Sequence, residues 1–401
     1  MGEPIDVAII GGGPTGLGAA IRLKKRGIGR VIVFERETEA GGIPRHCAHP
    51  PYGVREFGRL MTGPEYARQL RARAERLGVE IAVRHSVTAL LPQGSLAIAT
   101  PKGERRLAAQ RVLLATGARE TPRSGRLISG DRPQGVINTA ALQDSVYLKQ
   151  MRPFDRPVVI GTELVALSAL WTCRHGGMRP VAMIEAGPRP VARWPLGAFP
   201  YLLRIPLFTN ARLLEIIGRD QVEAVRIGLP TGERLLACDG VILSGVFLPE
   251  ASLVRGSPIG LDPGTGGPVV DQYGRCSDPT YFAAGNLLRP IETAGWCHRE
   301  GKHAADIIAN DLAGLLPAMG ASIGVSGGQG VSWVMPQRLA LPCLRDVQFR
   351  ADRPSSGRLT VRESGRLLWS RRIATRQERR LNVPAAALRA ARDDIIIAIE
   401  T

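Results

Sequence analysis

Cysteine is scarce and scattered in this sequence. Its six cysteines include no CxxC pair, whereas zinc ribbons, iron–sulfur clusters and redox dithiols place their cysteines at short, regular spacings. We therefore expect no metal site. A few unpaired cysteines also suit a reducing compartment, so we expect a cytoplasmic protein.

Long apolar runs are missing as well. No stretch approaches the roughly eighteen apolar residues that a membrane-spanning helix needs. The first apolar strand begins at Ile5 without a basic and apolar leader. We expect a chain that is neither secreted nor membrane-spanning.

Aromatic residues are few, at 5% of the chain, while the formal charge is +17 and comes mostly from arginine. Because nucleic-acid sites interleave basic residues with aromatics that stack on bases, we expect no nucleic-acid binding. Ordinary solvated surface accounts for such a charge. An acidic partner protein, a peripheral contact with an anionic membrane or a phosphorylated ligand would each use it too.

The N-terminal segment has the pattern of a nucleotide-binding βαβ unit. Gly11, Gly13 and Gly16 follow a buried strand and open a helix. The first glycine permits a sharp turn, the second lets the backbone approach a pyrophosphate, and the third packs the helix on the strand. The helix N-terminus offers N–H groups to the phosphates. Glu35 ends the next strand and is expected to accept ribose hydroxyls.

The same design occurs a second time over residues 157–185. Where the second glycine should stand, this copy has Glu163. A carboxylate there takes up space and repels a pyrophosphate by several kcal/mol at about 4 Å, which predicts weak NAD(P) binding. The alternative is that Glu163 turns outward and Glu185 binds a nicotinamide nucleotide ribose.

Composition changes suggest four parts of the chain. We expect an α/β protein with a doubly wound dinucleotide-binding domain, an inserted second dinucleotide-binding-like domain, and a small C-terminal β domain. A Gly/Ser-rich run at 324–330 suggests a linker. The expected bounds are 1–122 with 250–315 for the first domain, 123–249 for the second, 316–331 for the linker and 332–401 for the β domain.

Three further segments carry a family resemblance: 115–118 at a strand end, 282–286, and Glu300 with Gly301. Together with the N-terminal turn they resemble the two-dinucleotide-domain flavoproteins of the pyridine nucleotide-disulfide oxidoreductase class. The resemblance implies FAD as cofactor, Asn286 on its ribityl chain, and a following helix whose N-terminus stabilises reduced flavin. The cofactor-binding residues it implies are Gly11, Gly13, Pro14, Thr15, Gly16, Glu35, Arg36, Gly42, Thr116, Gly117, Gly285, Asn286, Thr293 and Ala294.

In disulfide reductases of that class, the region matching residues 41–49 carries two redox cysteines beside the flavin. Here only Cys47 is present, which excludes a dithiol relay through this segment. Cys47, His46 and His49 are candidates for a catalytic, substrate-facing cluster. The alternative is that they are packed residues without a chemical role.

A closer resemblance rests on residues 41–49, 60–67 and 292–297. These are similar to the FAD-binding subunits of multisubunit amino-acid, opine or glycerol-phosphate dehydrogenases. Several such subunits carry a C-terminal cysteine cluster, but here Cys343 stands alone. Trp296 is expected to cover the flavin, to face a partner or to belong to the core.

The resemblance implies an FAD-dependent dehydrogenase subunit that oxidises an amine, amino acid or hydroxy acid. The alternatives are an electron-transfer or scaffold subunit without its own substrate, and an NAD(P)H-dependent flavin reductase. A second dehydrogenase or electron-transfer subunit is the expected partner. Between 341 and 401, thirteen arginines face seven acidic residues, a surplus that would steer an acidic partner.

Overall fold

A computed structural model of the chain describes residues 4–340, 345–375 and 380–400. The first part, up to residue 122, alternates strands with three helices. Its strands are β1 (Ile5–Ile10), β2 (Val31–Glu35), β3 (Glu80–Val83), β4 (Ser86–Leu90), β5 (Ser95–Thr100), β6 (Gly103–Leu114) and β7 (Ala118–Glu120). Its helices are α1 (Pro14–Lys25), α2 (Val54–Phe57) and α3 (Gly63–Arg76).

The middle part of the chain contains ten strands and three helices. The strands are β8 (Ser129–Gly130), β9 (Val136–Asn138), β10 (Pro157–Ile160), β11 (Ala182–Ile184), β12 (Leu207–Phe208), β13 (Arg212–Ile217), β14 (Ala224–Leu229), β15 (Gly232–Ala237), β16 (Gly240–Leu243) and β17 (Phe247–Pro249). The helices are α4 (Thr139–Gln143), α5 (Leu164–His175) and α6 (Phe199–Leu202).

The last part begins with two helices around one strand and continues as strands. The helices are α7 (Ser252–Arg255) and α8 (Ala294–Leu312). The strands are β18 (Tyr281–Ala283), β19 (Ser322–Gly327), β20 (Val331–Met335), β21 (Arg338–Ala340), β22 (Val347–Ala351), β23 (Ser356–Glu363), β24 (Arg366–Ala374), β25 (Leu381–Val383) and β26 (Ile395–Glu400).

The described chain divides into two compact units. The first contains residues up to 42, 67–118 and those from 249 onward; the second contains 43–66 and 119–248. The inserted domain was expected over 123–249, and the longer segment of the second unit spans 119–248. The addition of 43–66 was not expected, because nothing in that segment's pattern shows which domain it packs against.

The first unit is built on a seven-stranded sheet. Its order is β3-β2-β1-β6-β5-β4, with β18 also paired to β6. The strands β1, β2, β3, β6 and β18 run parallel, and β1 is apolar and buried from Val7 to Ile10 because parallel strands are buried on both faces. Helices α1 and α8 pack against each other. This packing brings the turn between β1 and α1 close to the segment between β18 and α8.

The second unit has a parallel five-stranded sheet of order β12-β11-β10-β16-β9. It also has a four-stranded sheet of order β15-β14-β13-β8, in which β8 pairs with β13 in parallel and the other pairs are antiparallel. The parallel sheet repeats the β1–α1–β2 design as β10–α5–β11. This confirms the α/β fold with two dinucleotide-binding-like domains that the sequence predicted.

The C-terminal strands form a β domain with its own core. Two sheets, β21-β19-β26-β23-β24 and β20-β22-β25, enclose that apolar core. The expected linker at 324–330 was wrong, because 322–327 form β19, which pairs with β21 and β26. Small residues there permit close packing: a Cβ atom at Gly328 would lie 2.8 Å from Ile396.

The β domain is joined to the rest of the first unit by polar contacts. The central one is Arg289, whose side chain is 0% exposed. Its guanidinium pairs with the carboxylate of Glu300 on α8, and its Nε donates to Gln348 of β22 at 3.0 Å. Burial disfavours the charge, but Glu300 outweighs burial and the pKa of Arg289 is raised.

Removing this guanidinium should destabilise the first unit. We expect Arg289→Ala to lower the free energy of unfolding by about 3 kcal/mol, because it removes the close partner of the Glu300 carboxylate and leaves only a longer contact with Arg380, at 3.7 Å. Arg59→Ala is the matched control: it breaks an exposed pair with Glu65 and should cost about 0.5 kcal/mol. Urea unfolding of the three proteins measures this, and equal losses in both variants would contradict the assigned role.

Candidate functional site

The turn between β1 and α1 leaves room for a ligand at one position. Gly11 has φ of +106°, and a Cβ atom at Gly16 would lie 1.9 Å from the Gly11 carbonyl oxygen. Both positions therefore require glycine for the fold itself. At Gly13, by contrast, a Cβ atom would meet only the Cα of Gly42, at 3.9 Å. The space beside Gly13 is open, as the approach of a pyrophosphate requires.

Helix α1 presents its N-terminus at this opening. Pro14 is the first helical residue, and no side chain caps the helix. The N–H groups of its first turn therefore keep their partial positive charge. Thr15 is buried behind them: a Cβ atom at Gly285 would lie 2.3 Å from its hydroxyl oxygen. The open turn and the uncapped helix fit a diphosphate group.

Glu35 is buried at the end of β2. Its two carboxylate oxygens accept N–H groups from Gly12 and Glu37, each at 3.0 Å. These bonds fix the carboxylate beside the turn and leave lone pairs on both oxygens. The role of Glu35 on a ribose stays a prediction, as does that of Arg36, whose exposed side chain lies 3.6 Å from Glu37.

The segment after β18 leads into α8. Asn286 donates to the Glu292 carbonyl at 3.2 Å and accepts from its N–H at 2.8 Å, closing the intervening loop. Its expected bond to the ribityl chain stays a prediction, and one amide N–H remains for it. Thr293 precedes α8 without a side-chain cap, and Ala294 begins the helix with no acidic residue in its first turn. This second uncapped N-terminus suits an anionic ring.

Thr116 and Gly117 follow β6 at the start of the crossing into the second unit. The Thr116 hydroxyl donates to the Glu250 carbonyl at 2.8 Å, and the Glu250 N–H donates to Gly117 at 2.9 Å. Gly117 has φ of +79°. Their expected contact with the FAD backbone stays a prediction; the observed bonds hold the outgoing and returning chain together.

The second fingerprint, in the other unit, is filled by Glu163. Its carboxylate accepts the Ser244 hydroxyl. A Cβ atom at Gly161 would lie 2.6 Å from a Glu163 oxygen, and one at Gly245 would lie 2.9 Å from its Cδ. The side chain therefore lies across the carboxyl ends of β10 and β16, where a nucleotide crosses a Rossmann sheet.

Two more charged groups surround this point. Arg126 donates to the carbonyl oxygens of Ser244 at 2.8 Å and Gly245 at 2.6 Å. Glu120 is buried, and burial, with a smaller contribution from Glu163, raises its pKa to about 7. This crevice holds two carboxyl groups, and its arginine already donates to backbone carbonyl oxygens. The site is therefore unfavourable for a negatively charged diphosphate.

Glu185 retains the arrangement seen at Glu35. It is buried at the end of β11, accepts the Thr162 hydroxyl, and accepts the Gly187 N–H at 2.8 Å. The ribose-binding half of the second fingerprint is thus preserved, while its pyrophosphate half is occupied by Glu163.

Cys47 belongs to a buried polar chain in the second unit. Its thiol donates to Gln143 at 3.2 Å, Gln143 donates to Ser168 at 2.6 Å, and Ser168 contacts His49 Nε2 at 2.6 Å. The sequence indicated Cys47 and His49 but gave no signal for Gln143 or Ser168, which lie on distant helices.

This environment does not activate the thiol. Burial raises the pKa of Cys47 to about 11, so the thiol stays protonated at neutral pH. His49 reaches Cys47 only through Ser168 and Gln143, and its Nδ1 contacts the Pro50 carbonyl at 2.9 Å. His46 lies half-buried in the short helix Ile43–His46. Catalytic roles for the three stay predictions, and the geometry favours packing and hydrogen bonding over nucleophilic attack by Cys47.

Residues 5–301 match the family model of the pyridine nucleotide-disulphide oxidoreductases. The chain belongs to that family. It is an FAD-dependent oxidoreductase, as the open turn at Gly13 and the two uncapped helices indicated. The family defines the cofactor and the reaction class but not the substrate.

Two kinds of curated relative are similar to this chain. An opine oxidase subunit of Agrobacterium tumefaciens is 24% identical over 312 residues, covering 70% of this chain and 61% of the relative. Its counterpart in Rhizobium meliloti is 29% identical, covering 45% of this chain and 38% of the relative. One of the alkyl hydroperoxide reductase subunits of Staphylococcus aureus is 26% identical, covering 71% and 54%. The chain therefore spans only part of these relatives' length.

Solved structures support the fold. Thioredoxin reductase of T. acidophilum superposes with a TM-score of 0.65 at 24% identity, covering 78% of this chain and all of that one. L-proline dehydrogenase of P. horikoshii has a TM-score of 0.57 at 19% identity, covering 78% and 56%. In the described part of this chain, no helix has the length and apolar character needed to cross a membrane.

The opening at Gly13 gives a direct test of the flavin site. Gly13 has φ of −76°, which any residue adopts, so Gly13→Val should fold normally while its side chain fills the pyrophosphate space. We expect loss of the flavin absorbance with unchanged circular dichroism. Gly16→Val is the contrast, since its Cβ atom clashes with backbone and should prevent folding. Full FAD occupancy in folded Gly13→Val would refute the placement.

The second fingerprint can be tested in the same way. We expect wild-type protein to bind NADH weakly, and Glu163→Gly to bind at least tenfold more tightly because charge and bulk are both removed. Glu163→Gln keeps the bulk and separates the two effects. Calorimetric titration with NADH measures all three, and a micromolar dissociation constant for wild type would overturn the assignment.

Proposed function

We propose that this chain is the FAD-binding subunit of a multisubunit dehydrogenase that oxidises an amine, an amino acid or a hydroxy acid. The observation that carries the proposal is the Glu163 carboxylate across the second fingerprint. It disfavours nicotinamide nucleotide as the electron source. The protonated, single Cys47 disfavours a disulfide as electron acceptor or donor. A small substrate and a partner acceptor then remain as the routes to and from the flavin.

The chemistry is a two-electron oxidation. A C–H bond next to nitrogen or oxygen gives up a hydride equivalent, the N–H or O–H proton leaves to solvent or a base, and an imine or carbonyl product forms. FAD, when bound, accepts the hydride equivalent. The chain's contribution is the uncapped N-terminus of α8, which favours negative charge on a reduced ring.

The relatives' names support the substrate class and the multisubunit organisation. Two of them are opine oxidase subunits, and a structural neighbour is an L-proline dehydrogenase. Opines and proline are secondary amines, which lose a hydride equivalent from the carbon beside nitrogen. We therefore propose secondary amino acids as the first substrates to test.

A nicotinamide-fed flavin reductase is the second candidate. The preserved Glu185 arrangement favours it, because buried Glu185 is held as a ribose acceptor would be. The relative from alkyl hydroperoxide reductase is consistent with it. Electron supply from NAD(P)H would then require Glu163 to leave its bond with Ser244.

Anaerobic reduction of the flavin distinguishes the two. We expect proline or an opine to bleach the flavin of the protein isolated with its native partner, and NADH to leave that flavin oxidised. With a dye as electron acceptor, the same substrate should be oxidised at about ten turnovers per second. The chain alone serves as the control for partner dependence. Rapid bleaching by NADH and none by any secondary amine would replace the proposal with the second candidate.

A further inference from the structure

Helix α5, helix α6 and the turn before α6 expose large apolar side chains. Trp194 is 87% exposed, Leu202 77% and Tyr201 63%. Leu196 and Trp171 are also exposed. Single exposed apolar residues are ordinary, but a contiguous group of this size marks an interaction site. We call this group the aromatic–arginine face; it comprises Trp171, Trp194, Leu196, Tyr201 and Leu202 with Arg189, Arg193 and Arg204.

The two helices that carry the face are packed together. Trp171 of α5 stacks on Phe199 of α6, with ring centroids 6.3 Å apart and planes at 21°. The loop before α6 is tied to the second fingerprint, since the Val191 and Ala192 N–H groups donate to Thr162 at 2.9 and 3.1 Å. The exposed side chains therefore stand on a hydrogen-bonded main chain, so binding has little backbone to order.

The chain segments that carry the face have charge of a single sign. Residues 186–214 contain four arginines and no Asp or Glu. Helix α5 likewise has Arg174 and no acidic residue. Trp, Tyr and Arg are also the residues most enriched at binding hot spots. The complementary surface has an apolar centre and an acidic rim.

We propose that the aromatic–arginine face binds the acidic, apolar-centred surface of a different protein subunit. A second copy of this chain is disfavoured, because a two-fold contact would bring the arginines of both copies together. A membrane is disfavoured because α6 has only four residues, far shorter than an amphipathic helix lying in a lipid interface. The proposal rests on the proposed multisubunit function and names the surface that function would use.

The test begins with the native complex. The tagged chain is isolated from its own cells, and the co-purifying protein is identified and expressed for measurement of the dissociation constant of the purified pair. We expect Trp194→Gln/Leu202→Gln to weaken this constant at least tenfold with FAD absorbance unchanged. The matched control is Leu127→Gln/Leu235→Gln, which changes side chains that are 88% and 59% exposed elsewhere on the second unit and should bind normally.

A charge-reversal pair tests the rim. Arg193→Glu/Arg204→Glu should slow association and remove most of its salt dependence. Arg105→Glu/Arg106→Glu, on the exposed part of β6 in the first unit, is the control. A photo-crosslinking amino acid at position 194 should join the partner protein, and one at position 127 should not.

The possible results test the aromatic–arginine face and the proposed multisubunit function separately. If the purified partner binds the Trp194→Gln/Leu202→Gln variant as tightly as wild type, the face is wrong and the multisubunit function stands. If the native chain isolates alone and oxidises a secondary amine unaided, both are wrong. If the face instead drives binding to vesicles of phosphatidylserine and phosphatidylcholine, and no protein, the occupant is a membrane and the proposal fails.

Discussion

The buried ion pair between Arg289 and Glu300 is the interaction on which the flavin-binding unit depends most. Glu300 lies two turns inside α8, and Arg289 lies in the loop that precedes that helix. The same guanidinium reaches Gln348 in the β domain. One group thus couples the loop, the helix and the C-terminal sheet. Because a buried charge without its partner is costly, these three elements must assemble together.

This coupling gives the β domain a structural role in the flavin-binding unit, in addition to forming its own core. Arg380 adds a 3.2 Å pair with Glu292 and lies over the Trp296 ring at 4.8 Å. Both contacts fall on the loop and first turn of α8, whose uncapped N-terminus suits a reduced flavin. The β domain therefore holds in place the helix end that would stabilise the cofactor's charge. Trp296 contacts the Arg299 and Arg380 side chains, and its expected place over the flavin, at a partner or in the core stays a prediction.

The two dinucleotide folds show how one position decides between an open and a filled site. At the second glycine position the first copy has Gly13, beside open space, and the second copy has Glu163, across its own strand ends. The sequence predicted this contrast because each fingerprint is local and glycine has one physical role there. It could not predict the Ser244 partner of Glu163, since β16 meets β10 only through tertiary packing.

The same limit explains the other differences. Strand and helix types were predictable from apolar periodicity, while β19 was mistaken for a linker because Gly and Ser also permit close strand packing. The roles of Gln143 and Ser168 could not be predicted, because no sequence spacing identifies an amide or hydroxyl that forms hydrogen bonds to residues distant in the chain. Cys47 was found, but its raised pKa depends on burial, which no local pattern encodes.

Arginine content illustrates why composition alone misleads about partners. The surplus in the C-terminal segment suggested an electrostatic docking surface there, yet several of its arginines are committed within the protein. Arg362 pairs with Glu400 at 2.9 Å, and Arg350 donates to the Pro290 carbonyl at 2.9 Å. In the segment around Trp194, by contrast, arginines alternate along the chain with exposed apolar side chains, and the segment contains no acidic residue. Arginine side chains steer a partner only where no acidic group of the same protein neutralises them. The complex then persists only if apolar side chains beside those arginines are buried on binding. Both conditions are met by the second unit's aromatic–arginine face, which is why we assign the partner to that face and not to the more basic β domain.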